Sequence, residues 1–212
     1  MTAPDRVMLR LAASDVPMSV ADLTDGEVTQ LTRLPSQPRR RTWLTARRAL
    51  RRALASAGLP EDTSAYAFPH PRASLSYAGE CAFAAAVGGE SRAVLGLGVD
   101  VDVENSPGPA PQTALLFLAE HEQQALTDLP APRQRAELLR MWTAKEALYK
   151  SDPDQTGIDL RRYTLDLPLA RRGVARLAGS DVAAFRYLSL DLPGGVLTVA
   201  VLLSQNGAIT RG

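Results

Sequence analysis

The stretch that most constrains this 212-residue chain is Trp142-Thr143-Ala144-Lys145-Glu146-Ala147-Leu148-Tyr149-Lys150. It lies in a run without Gly or Pro from Arg133 to Asp152, which predicts one long helix. At about 3.6 residues per turn, Trp142, Glu146 and Lys150 fall on one stripe. The stripe lines up an aromatic ring, a carboxylate and an ammonium. Of 24 basic residues only two, Lys145 and Lys150, are lysines; the rest are arginines. Two compact, movable point charges kept in one short window of an otherwise arginine-using chain point to a local need for them. The competing reading is a solvated i,i+4 Glu146–Lys150 pair, worth about 0.3 kcal/mol, beside a core tryptophan.

A second stretch, Leu95 to Glu104, reads as a strand. Side chains alternate faces along a strand, so Asp100, Asp102 and Glu104 share one face and Val99, Val101 and Val103 the other. Same-face neighbours are about 6.6 Å apart at Cα. Carboxylates so placed repel unless water screens them or a cation sits among them. Oxygen donors of this kind suit Mg²⁺ or Mn²⁺, which few carboxylates hold together with water and phosphate. The competing reading is an edge strand guarded by acidic side chains.

Together the two stretches resemble one family. Gly98-Val99-Asp100-Val101-Asp102, followed about 40 residues later by the Trp142–Lys150 stretch, is similar to the signature pair of the 4′-phosphopantetheinyl transferases, Gly-x-Asp-x-Glu/Asp and Trp-Ser/Thr-x-Lys-Glu-Ala/Ser-x-x-Lys. Within that superfamily the resemblance is to the pseudo-dimeric class associated with polyketide and nonribosomal peptide synthases.

Composition sets the frame for that reading. The chain is 45% hydrophobic and 22% charged with a net charge of +1, as expected of a globular protein of one large or two small domains and not of a general nucleic-acid binder. One cysteine, Cys81, excludes an internal disulfide and a cysteine metal cluster. No stretch approaches the roughly 18 uninterrupted apolar residues of a membrane span, and no leader is evident, so the expectation is a cytoplasmic protein.

Taken in order, Arg6–Ala13 reads as a strand and Leu23–Leu34 as a short helix that Thr24 or Asp25 caps. Pro35 and Pro38 then break the chain. Arg39–Leu54 follows helical spacing through Trp43, Leu50 and Leu54, with Gly58 as a stop. It carries seven arginines in fourteen residues. These form either a solvated face or a phosphate grip, since guanidinium forks match phosphate oxygens. Pro60–Arg72 reads as a linker, Ala73–Gly79 as a turn and Cys81–Val87 as a strand. Neither His70 nor His121 sits in a metal-ligand spacing. A Pro/Gly loop spans Asn105–Gln112. Ala114–Leu129 is expected to be a helix with Leu115, Leu118, Leu126 and Leu129 in the core. Asp152–Leu160 reads as a loop. Ala183–Leu190 and Val196–Leu203 read as strands joined by the hairpin signal Pro193-Gly194-Gly195.

The resemblance implies more than the pattern does. It implies an α/β (α+β) pseudo-dimer of two similar halves, each a small, mainly antiparallel sheet with packed helices, and an active site in the cleft between them. The halves are expected at 1–107, which holds the Arg-rich helix and ends on the acidic strand, and 108–212, which holds the Trp142–Lys150 helix and the C-terminal hairpin. It implies Mg²⁺-dependent transfer of 4′-phosphopantetheine from coenzyme A to a serine of apo acyl or peptidyl carrier proteins, releasing adenosine 3′,5′-bisphosphate. Asp100, Asp102 and Glu146 are then the metal ligands, with Glu104 as an outside candidate. Glu146, directly or through a metal-bound water, takes the serine proton. Asp100 and Lys150 hold the diphosphate, and Lys150 also neutralises the leaving phosphate. Lys145, about 100° around the helix, contacts phosphate or supports Glu146. Arg41 and Arg47 match the family's 3′-phosphate spacing, with Arg40 a close competitor. Ser74-Leu75-Ser76-Tyr77 resembles the family's Ser-Leu-Ser-His turn, which makes Ser76 and Tyr77 coenzyme A contacts. Tyr77 replaces a histidine, and a phenol donates one hydrogen bond but carries no positive charge. The family's Gly-Lys-Pro turn is absent, and Arg72 is the nearest substitute. The expected partners are coenzyme A and carrier proteins, with neither nucleic acid nor membrane, and the protein is expected to be a monomer. Two alternatives stand beside this: a degenerate homologue that binds coenzyme A or a carrier protein without transfer, and a carboxylate-metal phosphohydrolase.

Overall fold

In the computed structural model the described residues are 8–89, 93–103, 109–155, 157–180 and 183–204. Glu104 and the expected boundary at 107/108 lie outside them. The chain runs β1 (Met8–Ser14), α1 (Asp25–Thr32), α2 (Gln37–Ser56), β2 (Ala73–Ala78), β3 (Cys81–Gly88), β4 (Val94–Val103), α3 (Ala114–Phe117), α4 (Glu120–Thr127), α5 (Ala131–Ser151), β5 (Tyr163–Leu165), β6 (Arg172–Leu177), β7 (Ala183–Leu192) and β8 (Gly195–Leu203). The fold is α+β with two antiparallel sheets, ordered β1-β3-β2 and β4-β8-β7-β6-β5.

Each sheet carries one long helix, for the same reason. The alanines and leucines of α2 recur at helical spacing, and Ala46, Ala49, Leu50, Ala53 and Leu54 bury against Ala82, Ala84 and Ala86 of β3. Ala144, Ala147 and Leu148 of α5 bury against Tyr163, Phe185 and Ala200. The other faces of the two sheets meet through Ala85, Val87, Leu97, Val99, Val101, Leu197 and Val199. Fully buried leucines such as Leu50, Leu54 and Leu97 each contribute about 1.5–3 kcal/mol of apolar burial.

Local signals set the element ends. Thr24, not Asp25, caps α1: its hydroxyl accepts the Glu27 N–H, and Glu27 accepts the Thr24 N–H, a capping box. Gly58 follows α2 with a φ of 67°, the left-handed conformation that ends helices. The stretch expected as a turn, Ala73–Gly79, is strand β2, and Gly79 at a φ of 59° makes the turn instead. The single helix expected over 114–129 is two, because the chain extends at Leu118 and Ala119. There Glu122 reaches back to accept the Ala119 N–H at 2.7 Å and starts α4. The break turns Leu115 outward, 62% exposed, while Leu118 is fully buried. Strands β5 and β6 are not foreseen by the pattern, since β5 is only three residues long and β6 does not alternate cleanly. Strand β4, expected at the end of the first half, is hydrogen-bonded to β8 in the second sheet.

Candidate active site

The site begins with two glycines. Gly96 and Gly98 lie on the same face of β4 as Asp100 and Asp102. A Cβ at Gly96 would stand 1.7 Å from the Ser151 carbonyl oxygen, and one at Gly98 would stand 1.8 Å from that of Ala147. Helix α5 therefore lies directly on bare strand backbone, an approach that only glycine permits. The same seating lays the C-terminal part of the helix over the acidic residues. The Lys150 Nζ donates to Asp100 Oδ1 at 2.7 Å, to Ser76 Oγ at 3.2 Å and to the Val99 carbonyl at 3.3 Å. The Ser76 hydroxyl donates to the same Asp100 oxygen at 2.8 Å. A hydroxyl from β2, a carboxylate from β4 and an ammonium from α5 thus meet at one point. Lys150 pairs with Asp100 rather than with its helix neighbour Glu146.

Electrostatics follow from burial. Asp100 is 7% exposed, and burial pushes its carboxyl above the ordinary value while Lys150 pulls the other way. Glu146 is pushed up by burial and then by the charge of Asp100, with Lys150 opposing. Asp102 is buried, and its Oδ1 accepts the Val103 N–H at 2.8 Å. Asp102 and Glu146 form a polar wall of a cavity of about 710 Å³, whose other walls include Leu116, Phe117, Trp142 and Ile158. Trp142 is held edge-on to Phe117 at 5.0 Å. Lys150 lines a second cavity, of about 240 Å³, with Phe68, Ser74, Tyr149 and Gln155.

The donor set suits a hard divalent cation. Asp100, Asp102 and Glu146 present three carboxylates with one ammonium among them, an excess of negative charge in a partly buried place. Among the described residues no three His, Cys, Asp or Glu side chains form a ready-made shell. Mg²⁺ does not require one, since it keeps waters and takes substrate phosphate beside one or two carboxylates.

Other expected residues lie elsewhere. Lys145 is fully buried; its ammonium meets both oxygens of Glu122, at 2.8 and 2.6 Å, and the Tyr163 carbonyl. This corrects its assignment to phosphate or to Glu146: Lys145 ties α5 to α4 and β5. Arg41 is exposed and 3.9 Å from Glu80 at the β2–β3 turn. Arg47 stacks on Trp43 at 4.8 Å and reaches Gln30 at 3.5 Å, with its Nε and Nη1 buried and unpartnered. The two arginines thus address different neighbours. Arg40, Arg48, Arg51 and Arg52 donate to the carbonyls of Leu34, Pro17, Asp22 and Ala13, a use of the basic helix that its charge pattern did not suggest. Tyr77 is 58% exposed, and strand alternation turns it away from Ser76. It lines neither cavity. Arg72 is tied to the Val87 and Gly89 carbonyls. His70 accepts the Arg72 N–H, and His121 sits against the Leu165 carbonyl. Sequence reasoning missed the role of Gly96. Its visible signal was a second glycine two residues before Gly98, on the face of the aspartates.

Residues 96–200 match the model of the 4′-phosphopantetheinyl transferase superfamily, a span that holds both the acidic strand and the Trp142–Lys150 helix. That span of the chain belongs to the superfamily. Phosphopantetheine transfer is its class of activity, with coenzyme A as the superfamily's substrate and carrier proteins as its partners. No curated protein matches the chain. No helix among the described residues is long and apolar enough to cross a membrane.

Proposed function

We propose that the protein is a Mg²⁺-dependent holo-carrier-protein synthase. It transfers 4′-phosphopantetheine from coenzyme A to a serine of apo acyl or peptidyl carrier proteins of polyketide and nonribosomal peptide biosynthesis. The observation that carries this is the meeting of Ser76, Asp100 and Lys150 at 2.7–3.2 Å beside Glu146 at a cavity wall. A pure binder has no need of such a cluster.

Phosphoryl-type transfer rests on positioning and charge neutralisation. Asp100, Asp102 and Glu146 would hold Mg²⁺, which when bound offsets the charge of the diphosphate. Lys150 neutralises a non-bridging oxygen and the leaving phosphate. Glu146 accepts the serine proton as general base. The serine oxygen bonds to the phosphorus carrying the pantetheine arm. The bond from that phosphorus to the bridging oxygen breaks, and adenosine 3′,5′-bisphosphate leaves with the electron pair. Arg41, Arg47 and Tyr77 are proposed coenzyme A contacts. The halves are taken as 1–107 and 108–212, with β4 lent by the first to the sheet of the second, and the protein as a cytoplasmic monomer.

Incubation with coenzyme A, Mg²⁺ and several apo carriers, followed by intact mass, tests this. A carrier that gains the phosphopantetheine mass is the expected result. If none gains it, the chain is a binder, a reading favoured by the engagement of Arg72 with Val87 and Gly89.

A further inference from the structure

The two sheets meet edge to edge at β2 and β4, yet among the described residues no backbone ladder joins these strands. β4 pairs with β8 on its other side, and the Val99 N–H and carbonyl face away from that ladder. Both are met by side chains. The Val99 N–H donates to Ser74 Oγ at 3.0 Å, and the Val99 carbonyl accepts from Lys150 at 3.3 Å. One residue further along, Asp100 takes Ser76 and Lys150. Val99 is fully buried and Ser74 is 3% exposed, so water does not readily replace this hydroxyl, and a buried donor without a partner is costly.

We propose that Ser74 is a positioning residue. Its hydroxyl substitutes for the missing ladder and fixes the backbone of Val99, and through it the carboxylate of Asp100 and the carbonyl that steadies Lys150. Ser74 need not touch substrate for this. The inference rests on the transferase reading only for the meaning of Asp100; the anchoring itself stands on the hydrogen bonds. The neighbouring Ser76 acts on the carboxylate directly, whereas Ser74 acts one peptide earlier, on the strand that carries it.

The test compares the wild type with Ser74→Ala, Ser74→Val and Ser74→Thr. Valine and threonine share a shape and differ in the hydroxyl, and the 240 Å³ cavity that Ser74 lines gives the added methyl room. Two quantities are read in each protein: the exchange rate of the Val99 amide by NMR, and the dissociation constant for coenzyme A in Mg²⁺ by calorimetry. In the alanine and valine variants Val99 exchange is expected to quicken by about tenfold or more, and coenzyme A to weaken by about tenfold, the size of one lost hydrogen bond. Threonine is expected to restore both to within about threefold. Faster exchange with unchanged coenzyme A binding overturns the proposal, because Ser74 is then only structural. Weaker binding with unchanged exchange also overturns it, because the hydroxyl then touches the ligand directly. No change in either overturns it as well. If the wild type moves no phosphopantetheine to any carrier, the transferase reading fails, while these two measurements still judge Ser74.

Discussion

Helices α2 and α5 are close in length, each seated on a sheet and each carrying the conspicuous charges of its region, yet they use those charges in opposite ways. On α2 four arginines reach backbone carbonyls from Ala13 to Leu34 and lash the first elements to the helix. Arg51 also pairs with Glu27 at 2.6 Å. On α5 the two lysines divide: Lys145 is sealed in the core with Glu122, and Lys150 stands at the cluster with Asp100. The guanidinium, with several donors on a long arm, suits bridging to scattered carbonyls. The ammonium, a compact charge, suits a single carboxylate. Charge density on a helix therefore does not reveal function; the acceptor does.

The strongest way to break this contrast is at the carboxylates. Asp100→Ala and Glu146→Ala are each expected to lose transfer by orders of magnitude with circular dichroism unchanged, and chelation of the wild type should do the same. Full activity in excess EDTA would remove the metal from the proposal.

The two lysines come next. Lys145→Ala should cost about 3–5 kcal/mol in urea unfolding, because it strands the buried Glu122 charge. Lys150→Ala should cost less, about 1–3 kcal/mol, since its side chain is 29% exposed and Ser76 still donates to the buried Asp100 it leaves behind, while transfer collapses. Equal stability losses would erase the division between them.

Replacing Arg47 or Arg41 by Ala is expected to weaken coenzyme A by about tenfold to a hundredfold, and 3′-dephospho-coenzyme A far less, by calorimetry. Arg51→Ala should instead lower stability by about 1–3 kcal/mol, through the lost Glu27 contact, and leave coenzyme A binding alone. Equal weakening of both ligands by Arg47→Ala would return that arginine to the packing of α1 on α2.

A pH test is subtler. The folded-state values of Asp100 and Glu146 both lie above the ordinary 3.8 and 4.5. Their contribution to stability is fully present below those ordinary values and is lost as pH rises through the raised ones. Glu146→Gln should therefore be more stable than the wild type near neutral pH, though inactive, by thermal melts. The smallest effect is expected at Tyr77, where histidine should keep or raise activity and alanine should reduce it modestly.

Much of this was legible in the chain itself. The Gly- and Pro-free run foretold α5, the alternation of Asp100 and Asp102 foretold β4, and the C-terminal hairpin followed from Pro193-Gly194-Gly195. The stripe of Trp142, Glu146 and Lys150 rests on local geometry, which 3.6 residues per turn supplies without tertiary help. Other features were settled only by packing. Lys145 sits beside Glu146 in sequence and faces the core because α4 and β5 close over that side of the helix. The division of the arginines depends on which carbonyls the N-terminal segment brings within reach. The pairing of Ser74 with Val99 and of Ser76 with Asp100 spans 25 and 24 positions of sequence. Periodicity records which face a side chain occupies, whereas contacts between distant segments depend on how two sheets meet, and that is decided by the burial of both.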